Sequence, residues 1–314
     1  MATVTRDGAA GPTSGGGAAA ESIPAWRAWL LAARPRTLAV SIGPVAVGSA
    51  VAASEGGARA GPALAALLGA LLLQVGSNFA NDVFDFEKGA DTEERIGPAR
   101  AAQLGLLSPH QMRVGTALVF AAAALMGLYL IGVAGWPVAV VGGVSILAAL
   151  TYTGGPWPFG YHGLGDPAVF LFFGVVAVVG TDYVQTLAFS WRALAASLPV
   201  GALATAILVV NNVRDIENDA RAGKRTLAVR LGRRGGRIEY AALVLGPYAG
   251  LLAFWLAGGT SVYVLAPWLT LPWALSLVRT LSTRSDGPSL NGALAGTAQL
   301  GLAFSLLFGL GLMA

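Results

Sequence analysis

The sequence contains no cysteine and only two histidines in 314 residues, and charged side chains make up 11% of it, against roughly 25% in an average soluble protein. The missing thiols exclude disulfides, thiolate nucleophiles and cysteine-bound metals. His110 and His162 are isolated from each other, and a lone histidine is a poor metal site. Scarce charge excludes an ordinary solvated surface. What fills the chain instead is 55% hydrophobic residues and 43 glycines, a composition suited to helices in lipid, where small residues let backbones approach. The formal charge of +4 and pI near 9.7 sit in loops flanking apolar runs. Orientation in a bilayer explains such bases, and no nucleic-acid partner is expected.

Residues 1–23 are mostly Gly, Ala, Ser and Thr and read as a disordered tail. They hold no apolar signal segment, so no cleaved signal is expected. Trp26, Trp29 and Leu30 with Arg27 suggest a short interfacial helix. Residues 24–314 form a single transmembrane domain on this reading. Apolar runs long enough to cross a bilayer occur near Thr37–Ala53, Gly61–Val83, Val114–Gly135, Trp136–Thr153, Pro167–Ala188, Ala193–Val213, Glu239–Gly258, Ser261–Leu281 and Leu290–Met313. The expected fold is therefore all-α and polytopic, with nine transmembrane helices. If the N-terminus is cytoplasmic, all of the 20 Lys and Arg residues except Arg59 and Arg192 fall on the inner side, so the positive-inside rule predicts that orientation in a cell (inner) membrane.

Two apolar runs close with a burst of amides and acids. Asn78, Asp82 and Asp85 share one helical stripe, with Asn81 beside them; Asn211, Asp215 and Asn218 repeat the device, with Asp219 adjacent. Capping acids favour helix N-termini, whereas these acids stand at C-terminal ends against the helix dipole, so a cation must compensate. Both ends are expected on the cytoplasmic side, around one cavity. Oxygen donors without Cys or His select hard cations, and Mg2+ binds through one or two carboxylates together with substrate phosphates. The loops that follow carry bases: Lys88, Arg95 and Arg100, then Lys224 and Arg225. Acids and bases around one cavity suit a metal-bridged diphosphate, and the bundle supplies an apolar groove for a lipid tail.

These stretches resemble the two Asp-rich motifs of the UbiA-type intramembrane prenyltransferases. Arg34-Pro35-Arg36-Thr37, the run Asn81 to Pro98, Tyr152 to Pro156 with Tyr161 to Asp166, and Asn211 to Gly232 are most similar to the branch that prenylates 1,4-dihydroxy-2-naphthoate in menaquinone synthesis. The resemblance implies a helical bundle around a central cavity opening to the cytoplasm, Mg2+, a polyprenyl diphosphate donor and an aromatic acceptor in the lipid bilayer. It further implies that Asp82, Asp85, Asp215 and Asp219 are catalytic and hold Mg2+, supported by Asn78 and Asn81. Lys88, Arg95, Lys224 and Arg225 are the candidate diphosphate ligands, and Arg36, Tyr152, Tyr161 and Asp166 the candidate acceptor ligands.

The 4-hydroxybenzoate branch has an Asp where this chain has Gly89, the next acid being Asp91, and a Lys shortly after the tyrosine matching Tyr152, where the loop Thr153 to Asp166 has no Lys or Arg. Both departures disfavour that acceptor. The implied reaction is electrophilic aromatic substitution: diphosphate leaves, a ring carbon attacks the allylic cation, and the carboxylate departs as CO2, giving demethylmenaquinone. Competing readings are a related enzyme acting on 4-hydroxybenzoate, homogentisate or a chlorophyllide, and an ion-coupled secondary transporter, whose acids are expected nearer the bilayer midplane. Asp182 lies within a span toward its outer half, where a structural hydrogen bond to the adjacent Tyr or Gln competes with a functional role.

Overall fold

The computed structural model describes residues 23–89, 97 and 100–314. The tail expected over residues 1–23 lies outside the described residues except for Ile23, and Arg95 lies outside them too. Among the described residues the regular structure is all helical, with no strands. The helices are α1 (Ala25–Ala33), α2 (Ala39–Ser54), α3 (Ala60–Glu87), α4 (Pro109–Ala134), α5 (Trp136–Thr151), α6 (Gly165–Thr186), α7 (Trp191–Arg214), α8 (Ile216–Arg221), α9 (Leu227–Leu256), α10 (Val262–Thr283) and α11 (Gly287–Met313). Every apolar run in the sequence forms a helix.

The expectation of nine spans is corrected on length. Among the described residues seven helices are long and apolar enough to cross a membrane, and an eighth arises if α1 and α2, which meet at a 50° bend, count as one. The remaining run, α5, has 16 residues. At about 1.5 Å per residue it measures about 24 Å, short of a hydrocarbon core of about 30 Å. Gly135 and Pro137 begin it abruptly after α4, and at its other end Gly154 and Gly155 turn the chain back.

The core surrounds α7. This helix packs against α2, α6, α9 and α11, and Val200, Leu203, Val209 and Val210 from α7 are buried with Tyr240, Phe304 and Phe308. Polar groups also join the core: the Tyr240 and Thr297 hydroxyls hydrogen-bond at 2.7 Å between α9 and α11. Close approach depends on glycine at the α6–α7 crossing. A Cβ on Gly174 would lie 2.6 Å from the Gly201 Cα, and one on Gly201 would lie 3.0 Å from the Phe170 carbonyl oxygen. Gly174 falls in a π-helical stretch, Phe170–Val176, which sets Phe172 and Phe173 on the wall of the central cavity while Gly174 meets α7.

On the other side α3, α4 and α5 pack together, more loosely joined to the α7 core, and the cavity lies between the two groups. α3 runs for 28 residues, or about 42 Å. It is longer than a hydrocarbon core of about 30 Å, and its final turns carry Asp82 and Asp85. Ser108 and Gln111 form a capping box that starts α4, fixing the return of the chain after the loop beyond α3.

Gly174→Val should destabilise the bundle by about 1–3 kcal/mol or more, because the added atoms meet backbone rather than a movable side chain. Gly246→Ala, where a Cβ meets nothing within 4 Å, should be near neutral. Thermal unfolding of both purified variants in detergent checks the pair; equal melting temperatures would contradict the packing described.

Candidate active site

The first acidic segment ends α3. Asp85 is 1% exposed and three partners hold its carboxylate. The Tyr161 hydroxyl donates to Oδ1 at 2.6 Å; on Oδ2, Arg100 lies at 2.8 Å and the Lys224 ammonium at 3.1 Å. These are the cations that a carboxylate opposing the helix dipole requires. Arg100 also donates to the Asn81 carbonyl oxygen at 2.8 Å. The Asn81 side chain accepts from the Thr153 hydroxyl at 2.9 Å. Asn78 donates to the Ala33 carbonyl oxygen at 2.9 Å, which ties α3 to the end of α1.

Asp82 has a different position from the one its helical stripe predicts. It is buried, accepts from the Ala101 backbone N–H at 3.2 Å, and is not part of the cavity wall. It anchors the chain next to Arg100.

The second segment straddles a break. α7 ends at Arg214, Asp215 adopts a non-helical conformation, and α8 carries Asp219 one turn on before Gly223, at φ 74°, ends it. Arg214 is 2% exposed and grips Asp215 with two hydrogen bonds, of 2.8 and 2.6 Å. Two further donors reach Asn291 and Asn211, both at 2.7 Å.

Asp85, Asp215 and Asp219 line one cavity of about 1010 Å3, together with Asn78, Asn81, Asn211, Arg34, Arg100, Lys224 and Tyr161. The two acidic segments thus share a site. Away from this polar end the wall is Leu73, Leu128, Ile131, Val141, Phe172, Val179 and similar side chains. Along α3 the cavity extends from Asp85 to Ala66, about 28 Å at 1.5 Å per residue. It is a lipid-shaped groove with a charged head.

The bases divide differently from the sequence reading. Lys224 reaches the cavity. Lys88 does not: its ammonium donates to the Thr153 carbonyl oxygen at 2.6 Å and the Gly155 carbonyl oxygen at 3.3 Å, pinning the turn after α5. Arg225 is exposed and off the cavity wall, its backbone N–H bonding the Tyr161 carbonyl at 2.7 Å. Arg100, which the sequence offers among the bases that complement the acids but not among the four candidate diphosphate ligands, takes the central position. Arg36 is likewise exposed and off the wall, whereas Arg34 lines it. Arg34 adopts the left-handed conformation, φ 52°, at the α1–α2 bend, a strained setting uncommon for a side chain of its size.

Tyr152 lines the cavity, packed edge-on against Phe159 at 5.4 Å between ring centroids. Burial, then the carboxylates of Asp166, Asp85 and Asp219, raise its phenol well above the usual range, so it remains a hydrogen-bond donor. Tyr161, expected at the acceptor, is instead bonded to Asp85. Asp166 is buried behind Tyr152 and not on the wall. Asp182 is fully buried, and neither oxygen has a hydrogen-bond partner. The neighbours expected to satisfy it bond elsewhere, Gln185 to Ser49 and Thr181, Tyr183 to Ala134.

Among the described residues no three His, Asp or Glu side chains converge closely enough to enclose a metal ion. The donors that do face the cavity are carboxylate and amide oxygens, which suit Mg2+ completed by phosphate oxygens rather than by a protein cage.

The sequence matches the UbiA prenyltransferase family over residues 41–312. A 1,4-dihydroxy-2-naphthoate octaprenyltransferase from Haemophilus influenzae is 41% identical over 298 residues, covering 91% of this chain and 95% of that protein. One from Mycobacterium tuberculosis is 42% identical over 267 residues, covering 84% and 86%. A UbiA homolog from Archaeoglobus fulgidus, solved bound to GPP and Mg2+, superimposes with a TM-score of 0.66 at 15% identity, covering 91% of this chain and 99% of that one. Sequence, helical bundle and the shared cavity agree, and this multi-pass membrane protein belongs to the UbiA prenyltransferase family.

Proposed function

We propose that the protein transfers a polyprenyl group from a polyprenyl diphosphate to 1,4-dihydroxy-2-naphthoate, releasing diphosphate and CO2 and giving the demethylmenaquinone skeleton in its quinol form. The observation that carries this reading is the single cavity with acids, amides and cations at one end and an apolar groove of bilayer length at the other. The names of the relatives at 41% and 42% identity supply the acceptor. The enzyme acts as one domain over residues 24–314 in the cell membrane, N-terminus and polar cavity end cytoplasmic, in keeping with the placement of all Lys and Arg but Arg59 and Arg192.

Asp85, Asp215 and Asp219 would hold Mg2+, with Asn78, Asn81 and Asn211 as supporting oxygens. Mg2+ bound there would offset the charge that develops on the leaving diphosphate. Arg100 and Lys224 stabilise the same charge from the protein side. Asp82 keeps Arg100 in place through Ala101. The apolar wall beyond Tyr152 excludes water while the allylic carbon is cationic. Arg34 meets the acceptor carboxylate, and the protonated Tyr152, with Asp166 behind it, orients an acceptor hydroxyl. Once the C–O bond to diphosphate has broken, the ring carbon that bears the carboxylate bonds to the allylic cation, and loss of CO2 from that carbon restores aromaticity.

Purified enzyme supplied with a labelled polyprenyl diphosphate and a panel of aromatic acids should prenylate the dihydroxynaphthoate and lose activity on chelation of divalent ions. Transfer confined to 4-hydroxybenzoate would overturn the acceptor assignment.

Arg34→Ala should lower kcat/KM for the acceptor by about ten- to a hundredfold, the worth of a charge-assisted hydrogen bond, with little change in donor KM. Steady-state kinetics with each substrate varied in turn separates the two.

Gly142 lines the groove and a Cβ there meets nothing within 4 Å. Gly142→Phe should therefore slow transfer from long donors while sparing geranyl diphosphate, as competition between donors of different length would reveal.

A further inference from the structure

The contact between Asp85 and Lys224 joins the two acidic segments, yet it occupies a carboxylate needed elsewhere. Resting on the diphosphate-binding reading above, we propose that Lys224 is a latch. It neutralises Asp85 while no donor is bound and moves to the diphosphate when one arrives, so that a divalent cation gains Asp85 only together with the diphosphate.

An ionised carboxylate offers about four acceptor positions. At Asp85, Tyr161, Arg100 and Lys224 fill three of them, two with positive charge, at 2.6, 2.8 and 3.1 Å. A divalent cation approaching alone meets two like charges and must displace one. A diphosphate changes the sign of that field: it attracts both cations and adds the oxygens that complete a metal's coordination. The carboxylate released is then the ligand the metal needs.

Of the two cations, Lys224 is the one able to move. Arg100 is also held by the Asn81 carbonyl, and the adjacent Ala101 by Asp82. Lys224 follows Gly223, lines the cavity, and places its ammonium 4.7 Å from the centre of the Tyr161 ring. A lysine carries three donors on a flexible stem, so it can exchange one anion for another without moving the backbone. At Asp215 the corresponding cation has no such freedom, because Arg214 is buried and braced by Asn211 and Asn291. Metal and diphosphate binding are therefore coupled at Asp85, and the coupling is reciprocal.

The test uses the full chain in nanodiscs, with Mn2+ as metal probe and inorganic pyrophosphate as diphosphate probe. Equilibrium dialysis at matched free Mn2+ reads the protein-bound ion. In the wild type, pyrophosphate should tighten Mn2+ binding by about tenfold or more, within the range of coupling between linked sites. In Lys224→Gln, Mn2+ alone should bind several-fold more tightly than to the wild type, and the gain from pyrophosphate should shrink. Unchanged or weaker metal-only binding in that variant overturns the latch. Asp85→Asn gives an independent reading: with Lys224 released, pyrophosphate should bind more tightly in the presence of chelator, and no gain there likewise overturns it. Wild-type protein that binds both probes independently refutes the latch alone, whereas protein that binds neither refutes the diphosphate reading with it.

Discussion

A carboxylate buried at the C-terminal end of a membrane helix is disfavoured twice, by lost hydration and by the partial negative charge of the helix end. Asp85 is in that position, and much of the polar end of the bundle is arranged to make it tolerable. Three separate pieces of chain converge on it. The segment after α3 brings Arg100, the turn following α5 brings Tyr161, and the turn following α8 brings Lys224. Each is itself held by local chemistry: Ala101 by Asp82, Tyr161 through its carbonyl by Arg225, and the α5 turn by Lys88. Residues that never touch the cavity therefore determine where its charged residues stand.

Small residues serve two opposite purposes in the rest of the fold. Where α6 crosses α7, Gly174 and Gly201 bring backbones into contact and exclude everything else. Where α3, α4 and α5 face the cavity, Ala66, Gly69, Ala123, Gly127 and Gly142 line open space instead. The difference lies in what surrounds them. α7 is enclosed by helices on several sides, whereas α5 has no buried residue and α4 is largely exposed on its outer face. Close packing in one half holds the bundle together, and loose packing in the other leaves a groove.

The acidic segments were legible because helical spacing places Asn78 and Asp85 on one stripe of α3, and because Asp215, one residue past the end of α7, still bonds its backbone N–H to the Asn211 carbonyl oxygen at 3.0 Å, which keeps it one turn from Asn211. The individual bases were not legible, since each choice depends on a turn. Arg34 and Arg36 are equivalent in composition, but the left-handed φ of Arg34 at the α1–α2 bend puts that residue on the cavity wall and leaves Arg36 exposed. Lys224 and Arg225 are neighbours, and the backbone bond from Arg225 to Tyr161 decides which one enters. Asp82 shares the stripe of Asp85, but a loop N–H from Ala101 claims it first. Arg100 carried a signal of its own, as the base that closes the segment between the acids and the apolar run of α4, but only three-dimensional contact distinguishes it from a base that orients the protein. α5 is shorter than the apolar run that forms it for a related reason: the run continues into Tyr152 and Thr153, but the glycines that follow, Gly154 and Gly155, allow the helix to end at Thr151.

The dimensions of α3 connect these observations. A helix of about 42 Å is longer than a hydrocarbon core of about 30 Å, and its acids stand at one end, where a charged group is best tolerated. The charged end of the cavity is then placed at the boundary that a water-soluble anion can reach, while the groove along the same helix remains at the depth of the acyl chains. A substrate with an ionic head and a long apolar tail can enter such a site without either end leaving its preferred medium. Breaking the bond between head and tail at that boundary releases each part into the phase that dissolves it, so the position of the acids along α3 determines the direction in which the two products separate.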